Sequence, residues 1–183
     1  MALFGALGLA GCGLKIDRDV DADAPRYRVT NATTTYFRNV RQTFYSAQEM
    51  PGNGMVVYRR PDPELPKDQP HLRPAIALNG QYQEAYVLIE PNAWFQNMDT
   101  VRVRWAAKRA VSEGADTAGT YVWAGGNKDT HFRFTSQLQR SLLADHRLTV
   151  VTPDDTVDVL TDREAREQFR KTMLDFYHLV GLD

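Results

Sequence analysis

Ala75-Ile76-Ala77-Leu78-Asn79-Gly80-Gln81-Tyr82-Gln83-Glu84-Ala85-Tyr86-Val87-Leu88-Ile89-Glu90 carries the strongest short-range hairpin signal in the chain. Asn-Gly favours the positive φ values of a tight turn whose twist suits antiparallel strands, so Ala75 to Leu78 and Gln81 to Glu90 are predicted as its two arms. The same grammar extends in both directions. Met55 to Tyr58 follows the turn residues Pro51-Gly52-Asn53-Gly54 and reads as a strand. Tyr36 to Ala47 is predicted as the strand before that turn, although Tyr36, Val40 and Phe44 also fit helical spacing. Val101-Arg102-Val103-Arg104-Trp105 alternates strictly, with the two valines and the tryptophan on one face and the arginines on the other. Thr120 to Ala124 and Thr130 to Phe134, around Gly125-Gly126-Asn127-Lys128, are predicted as another hairpin, which turns Phe132 and Phe134 inward and His131 and Arg133 outward.

The pattern then changes. Leu138 and Leu142 are four apart within Thr135 to Ala144 and predict a short helix, and Leu148 to Val151 returns to strand. Thr161-Asp162-Arg163-Glu164 has the form of a capping box, and the helix it opens runs from about Asp162 to Val180. Ala165, Phe169, Met173, Phe176 and Val180 form one apolar stripe, Asp162 with Arg166 and Glu167 with Lys171 are favourable four-apart pairs, and Gly181 is a natural stop. The predicted fold is α+β: a single domain with an antiparallel, β-rich or sandwich-like sheet, a short helix and a C-terminal helix.

At 183 residues, with 43% hydrophobic and 25% charged residues, the chain is large enough for one core without metal or disulfide staples. Lys+Arg 22 against Asp+Glu 23 leaves no basic excess for phosphates, which argues against a nucleic-acid partner. Five prolines between Pro61 and Pro74 exclude a helix or a central strand there and predict an irregular crossover. Gly13 to Arg26 alternates Asp17, Asp19, Asp21 and Asp23 with other residues and reads as an acidic tether. As a calcium loop it lacks the required Gly and Glu, since those places hold Ala22 and Arg28.

Met1 to Cys12 is uncharged, apolar and ends in small residues, which marks a processing segment too short to span a bilayer. Leu9-Ala10-Gly11-Cys12 resembles the lipobox of bacterial lipoprotein precursors. The resemblance implies cleavage before Cys12, acylation of its sulfur, and anchoring to membrane lipid in the bacterial cell envelope. Gly13 is not the Asp that retains lipoproteins in the inner membrane of some bacteria, so an outer-membrane position facing the periplasm is allowed. The expected organisation is residues 1–11 as signal segment, 12–26 as tether and 27–183 as the folded domain. Cys12 is the only cysteine, so nothing else in the chain would form disulfides in an oxidising compartment.

Catalytic signatures are absent: there is no phosphate loop, dinucleotide fingerprint, nucleophile elbow or His-Glu-x-x-His. His71, His131, His146 and His178 are scattered without metal-ligand spacing, so no metal and no cofactor is expected. Ser112, Ser136 and Ser141 could meet a His and an Asp only through the fold. Asp154, Asp155, Asp158 and Asp162 suit a solvated turn and a helix N-terminus better than paired acid–base work. Trp94, Trp105 and Trp123 could serve the core or anchor a partner. The expected function is non-enzymatic: a lipid-anchored accessory, scaffolding or binding module for other envelope proteins. The alternatives are a carrier with an apolar, β-lined cavity and, third, an envelope hydrolase.

Overall fold

A computed structural model describes residues 20–61, 68–108, 116–153 and 155–182. Helix α1 (Asn31–Tyr36) leads into a π-helical turn (Phe37–Arg41) and a 3-10 turn (Gln42–Phe44). Strands β1 (Ser46–Met50), β2 (Met55–Arg59), β3 (Leu72–Asn79) and β4 (Glu84–Pro91) form one antiparallel sheet in sequential order. Strands β5 (Val101–Ala106), β6 (Ala118–Trp123), β7 (Arg147–Val151) and β8 (Thr156–Asp158) form a second, ordered β6-β5-β7-β8 and also antiparallel. Helix α2 (Lys128–Leu143) lies in the crossover from β6 to β7, and α3 (Arg163–Val180) ends the fold. The α+β class expected from the sequence is therefore observed, as two sheets sharing one core with helices.

The Asn79-Gly80 hairpin forms, with a longer loop than a two-residue turn. Asn79 accepts from the amides of Gln81 and Tyr82 through its side chain, and Gln83 takes a φ of 52°, so β4 starts only at Glu84. Pro74 corrects the expectation for the proline-rich stretch, whose residues 62–67 lie outside the described ones, because it stands inside β3 between β2 and β4. It is tolerated there for a local reason. The β2 ladder stops at Tyr58 opposite Ile76, and Pro74 is paired only with Ile89. Ile89 aims its amide away from Pro74, at His131 Nδ1 3.0 Å away, so the pair exchanges no ladder bonds and the missing proline N–H faces no strand.

Two predicted strands are helices. Tyr36 to Phe44 is helical because a Thr30/Thr33 capping box starts α1, and because Phe37, 1% exposed, packs its ring against Tyr45 and Tyr58. Strand structure begins only at Ser46. The segment Thr130 to Phe134 belongs to α2, whose predicted start at Thr135 is seven residues late. Gly125 and Gly126, at φ 72° and 116°, do turn the chain, but they deliver it to Asn127, whose side chain accepts from the amides of Asp129 and Thr130 as an N-cap.

Helix α2 touches β4, β6 and α3, and α3 packs on β3 and β4, so the helices join the two sheets through one core. The stripe Ala165, Phe169, Met173, Phe176 and Val180 is buried as predicted, and Gly181 closes α3 at φ 68°. The N-cap is Asp162, which accepts from Ala165 N, rather than Thr161. The Glu167–Lys171 pair forms, whereas Arg166 turns to Leu160 O and Asp145. The expected tether is docked from Val20 onward: Ala22 is buried, Asp23 pairs with Arg133 at 2.7 Å, and Arg26 donates to Gly181 O. Apolar contact and ion pairing outweigh the mutual repulsion of the acidic residues there.

The outer edge of β4 is capped. Tyr27 O accepts from Ala85 N, Gln83 O accepts from Val29 N, and His131 Nδ1 accepts from Ile89 N. His131 is therefore a half-buried edge cap and not the surface residue that alternation suggested. Burial holds its pKa below the ordinary 6.5, so below that pH the unfolded chain binds the proton more readily and stability falls. Protonation would also set a ring N–H against the Ile89 N–H. In urea titrations from about pH 7.5 to 5, His131→Asn, which keeps an acceptor that does not titrate, should flatten the loss of midpoint seen in the parent. Parallel profiles would sink this assignment.

Candidate functional site

The irregular helix from Asn31 to Phe44 carries three of the large apolar side chains that are exposed among the described residues. Tyr36, Val40 and Phe44 are 42%, 46% and 50% exposed, while Phe37 beside them is in the core. Four-residue spacing puts the three on one side, and the π turn between them adds a residue that lets Phe37 and Tyr45 face inward. A neighbouring ring fixes the upper end: Tyr36 lies 4.8 Å from His178 near the end of α3.

A buried ionic cluster fixes the lower end. Asp175 on α3 is 8% exposed and receives Arg41 Nε at 2.6 Å, Tyr45 Oη at 2.6 Å and Arg60 Nη2 at 2.7 Å. Arg60 also donates to Tyr45 Oη, and it is itself 6% exposed. Both guanidinium groups lie over the Phe44 ring, at 5.0 and 5.6 Å from its centroid. Burial, then the carboxylate of Asp175, pushes the Tyr45 hydroxyl well above the usual phenol range, so it stays a donor. This cluster positions a surface; every polar group in it faces another, so it offers no free acid or base for chemistry.

Sequence inspection noted Tyr36, Val40 and Phe44 only as a spacing, and it missed Arg41, Tyr45, Arg60 and Asp175. Asp175 had one signal: it is a carboxylate next to Phe176 on the buried side of the last helix, a place where charge needs a partner.

Cys12, Ser112, Asp154, Asp17 and Asp19 lie outside the described residues. The remaining predicted groups are placed singly and in structural roles. Ser141 Oγ is 3.1 Å from His146 Nδ1 and 2.9 Å from Tyr121 Oη, the nearest approach to a serine–histidine pair. Ser141 is fully buried, and its carbonyl accepts from His146 N as α2 ends, so the pair closes a helix. His146 lies flat on Trp105, ring centroids 4.5 Å apart, and burial lowers its pKa. Ser136 accepts from Tyr177 Oη in the core. Asp155 and Asp162 accept from backbone amides and Asp158 pairs with Arg147, as a solvated turn and a helix N-terminus require. Trp94 packs against Phe95, and Trp123 packs between His131 and Phe134.

Among the described residues, no group of three His, Cys, Asp or Glu could hold a metal ion. A narrow cleft lies between Arg60, Arg73, Gln168 and Thr172, and a shallow depression between Arg104, Arg147, Thr149 and Thr156; neither is enclosed. No helix of the described residues is long and apolar enough to cross a membrane. No family model, curated protein or solved structure matches the chain.

Proposed function

We propose that the protein is a lipid-anchored module of the bacterial cell envelope, acylated at Cys12, that binds other envelope proteins through Tyr36, Val40 and Phe44. The observation that carries the binding role is the exposure of these three apolar side chains on a helix held in place by the Asp175 cluster. Apolar surface kept exposed and rigid costs solubility, and rigid aromatic groups lose little entropy on contact, which is the usual composition of an interface centre. Arg41, partly exposed behind Phe44, adds cationic character to the rim. The anchor rests on Leu9-Ala10-Gly11-Cys12. Two or more acyl chains there would hold the domain to membrane lipid stably, since each buried methylene contributes about 0.8 kcal/mol.

The test is intact mass and fractionation of the protein expressed in a bacterial host, beside Cys12→Ser. The parent is expected in the membrane fraction, cleaved before Cys12 and acylated, and the variant is expected uncleaved and without lipid. Parent and variant both soluble and unmodified would remove the anchor. A photoreactive group at position 40 should then capture envelope proteins from intact cells, and Phe44→Ser should reduce that capture several-fold.

A further inference from the structure

The two edges of the first sheet are treated very differently. The β4 edge is capped by the chain from Tyr27 to Val29 and by His131. The β1 edge, Ser46-Ala47-Gln48-Glu49-Met50, is exposed at all five residues and pairs only with β2. It contains no Lys, no Pro and no bulge, and Glu49 is its single charge, so few of the devices that keep an edge strand from pairing with another chain are present. Apolar groups flank it, with Phe44 just before its first residue and Met50, 36% exposed, at its end.

The geometry points to β1 as the pairing edge of a homodimer, in which a second copy adds its own β1 antiparallel about a two-fold axis through Gln48. The strand is self-complementary in that register. Gln48 faces Gln48 of the second copy, Ser46 faces Met50, and Glu49 faces Ala47, so no two like charges meet. Gln48 Oε1 already accepts from Arg59 Nη1, which leaves its amide N–H groups to donate across the axis.

The same pairing explains why the assembly stops at two. Joining β1 to β1 makes an eight-stranded sheet whose outer strands are the two β4 edges, both capped. A closed two-fold dimer with no further open edge on that sheet is the result. A five-residue edge buries less than a standard interface, so the dimer is weak, with a dissociation constant of about 10–100 µM. The pairing is independent of the lipid anchor.

The experiment uses the full chain with Cys12→Ser, which is free of cysteine and of lipid. Sedimentation equilibrium should show a reversible monomer–dimer system. In that background Gln48→Cys should oxidise to a disulfide-linked dimer about tenfold faster than Ser46→Cys, because only the residue on the axis meets itself within bridging distance. Gln48→Lys sets two ammonium groups against each other across the axis and should weaken the dimer about tenfold or more, with a melting curve at low concentration showing that it folds. A protein that stays monomeric up to roughly ten times the expected dissociation constant overturns the proposal. So does equal or faster oxidation at position 46, which would mean another register.

Discussion

Asp175→Ala is expected to lower the unfolding free energy by about 3–5 kcal/mol, a large share of the roughly 5–15 kcal/mol a domain possesses. The carboxylate is the single anion for Arg41 and Arg60 in this cluster, and it also accepts from Tyr45. Arg60 has 6% of its surface exposed, so removing the carboxylate leaves a cation nearly dry and uncompensated. Urea titration reads the loss directly as a lower midpoint with an unchanged slope. Asp175→Asn should recover part of it, because an amide oxygen can still accept from Tyr45 or one guanidinium. The combined change Asp175→Leu, Arg41→Met, Arg60→Met and Tyr45→Phe should recover more than Asn does, because apolar groups of similar size then leave no charge or hydroxyl of the cluster without a partner. If the alanine variant loses under about 1 kcal/mol, the cluster is solvated in solution and does not fix the surface.

The effect should reach the proposed interface. Phe44 is half exposed and held from behind by the two guanidinium groups that Asp175 gathers. Once they are released, the ring gains freedom, and capture of partners from position 40 should fall even in variants that remain folded. Asp175→Asn separates these roles: a surface that depends on rigidity weakens more than the stability loss alone accounts for.

What could be read from the sequence follows from how each element is buried. Val101 to Trp105 has one wet face and one dry, so its alternation is plain, and β5 appears where predicted. The stripe of α3 is legible for the same reason, with one dry side at helical spacing. β3 is buried on both faces, from Leu72 through Asn79 with Arg73 alone half-buried, so periodicity is silent there and only the Asn79-Gly80 turn betrayed the hairpin. Tyr36 to Phe44 reads as strand because its exposed side is apolar and its residues favour strands; the helix depends on the Thr30 cap and on Phe37. The Asp175 cluster joins residues more than a hundred positions apart, and no local pattern encodes that.

Phe132→Ala probes the packing behind the largest of these differences, and it too should cost about 3–5 kcal/mol. In the strand expected from alternation, Phe132 and Phe134 would share a face. In α2 they point about 200° apart, and both are nonetheless buried, at 0% and 1% exposure. Phe134 stacks on Trp123 of β6, whereas Phe132 meets the edges of Tyr27, Phe176 and Tyr177. A helix buried on two sides imitates the alternation of a strand. Deleting the Phe132 ring opens a cavity where α2, α3 and the N-terminal segment converge, and none of these closes it without moving the others. For a domain of this size the midpoint of thermal unfolding should fall by roughly 6–20 °C. Phe132→Leu, which refills much of the volume, should cost less than half as much. The Asp23–Arg133 pair, one residue along the helix, supplies the comparison: Arg133→Ala should change stability by under about 1 kcal/mol, because that pair is solvated. Equal losses at Phe132 and Arg133 would contradict the burial of Phe132 where these elements converge.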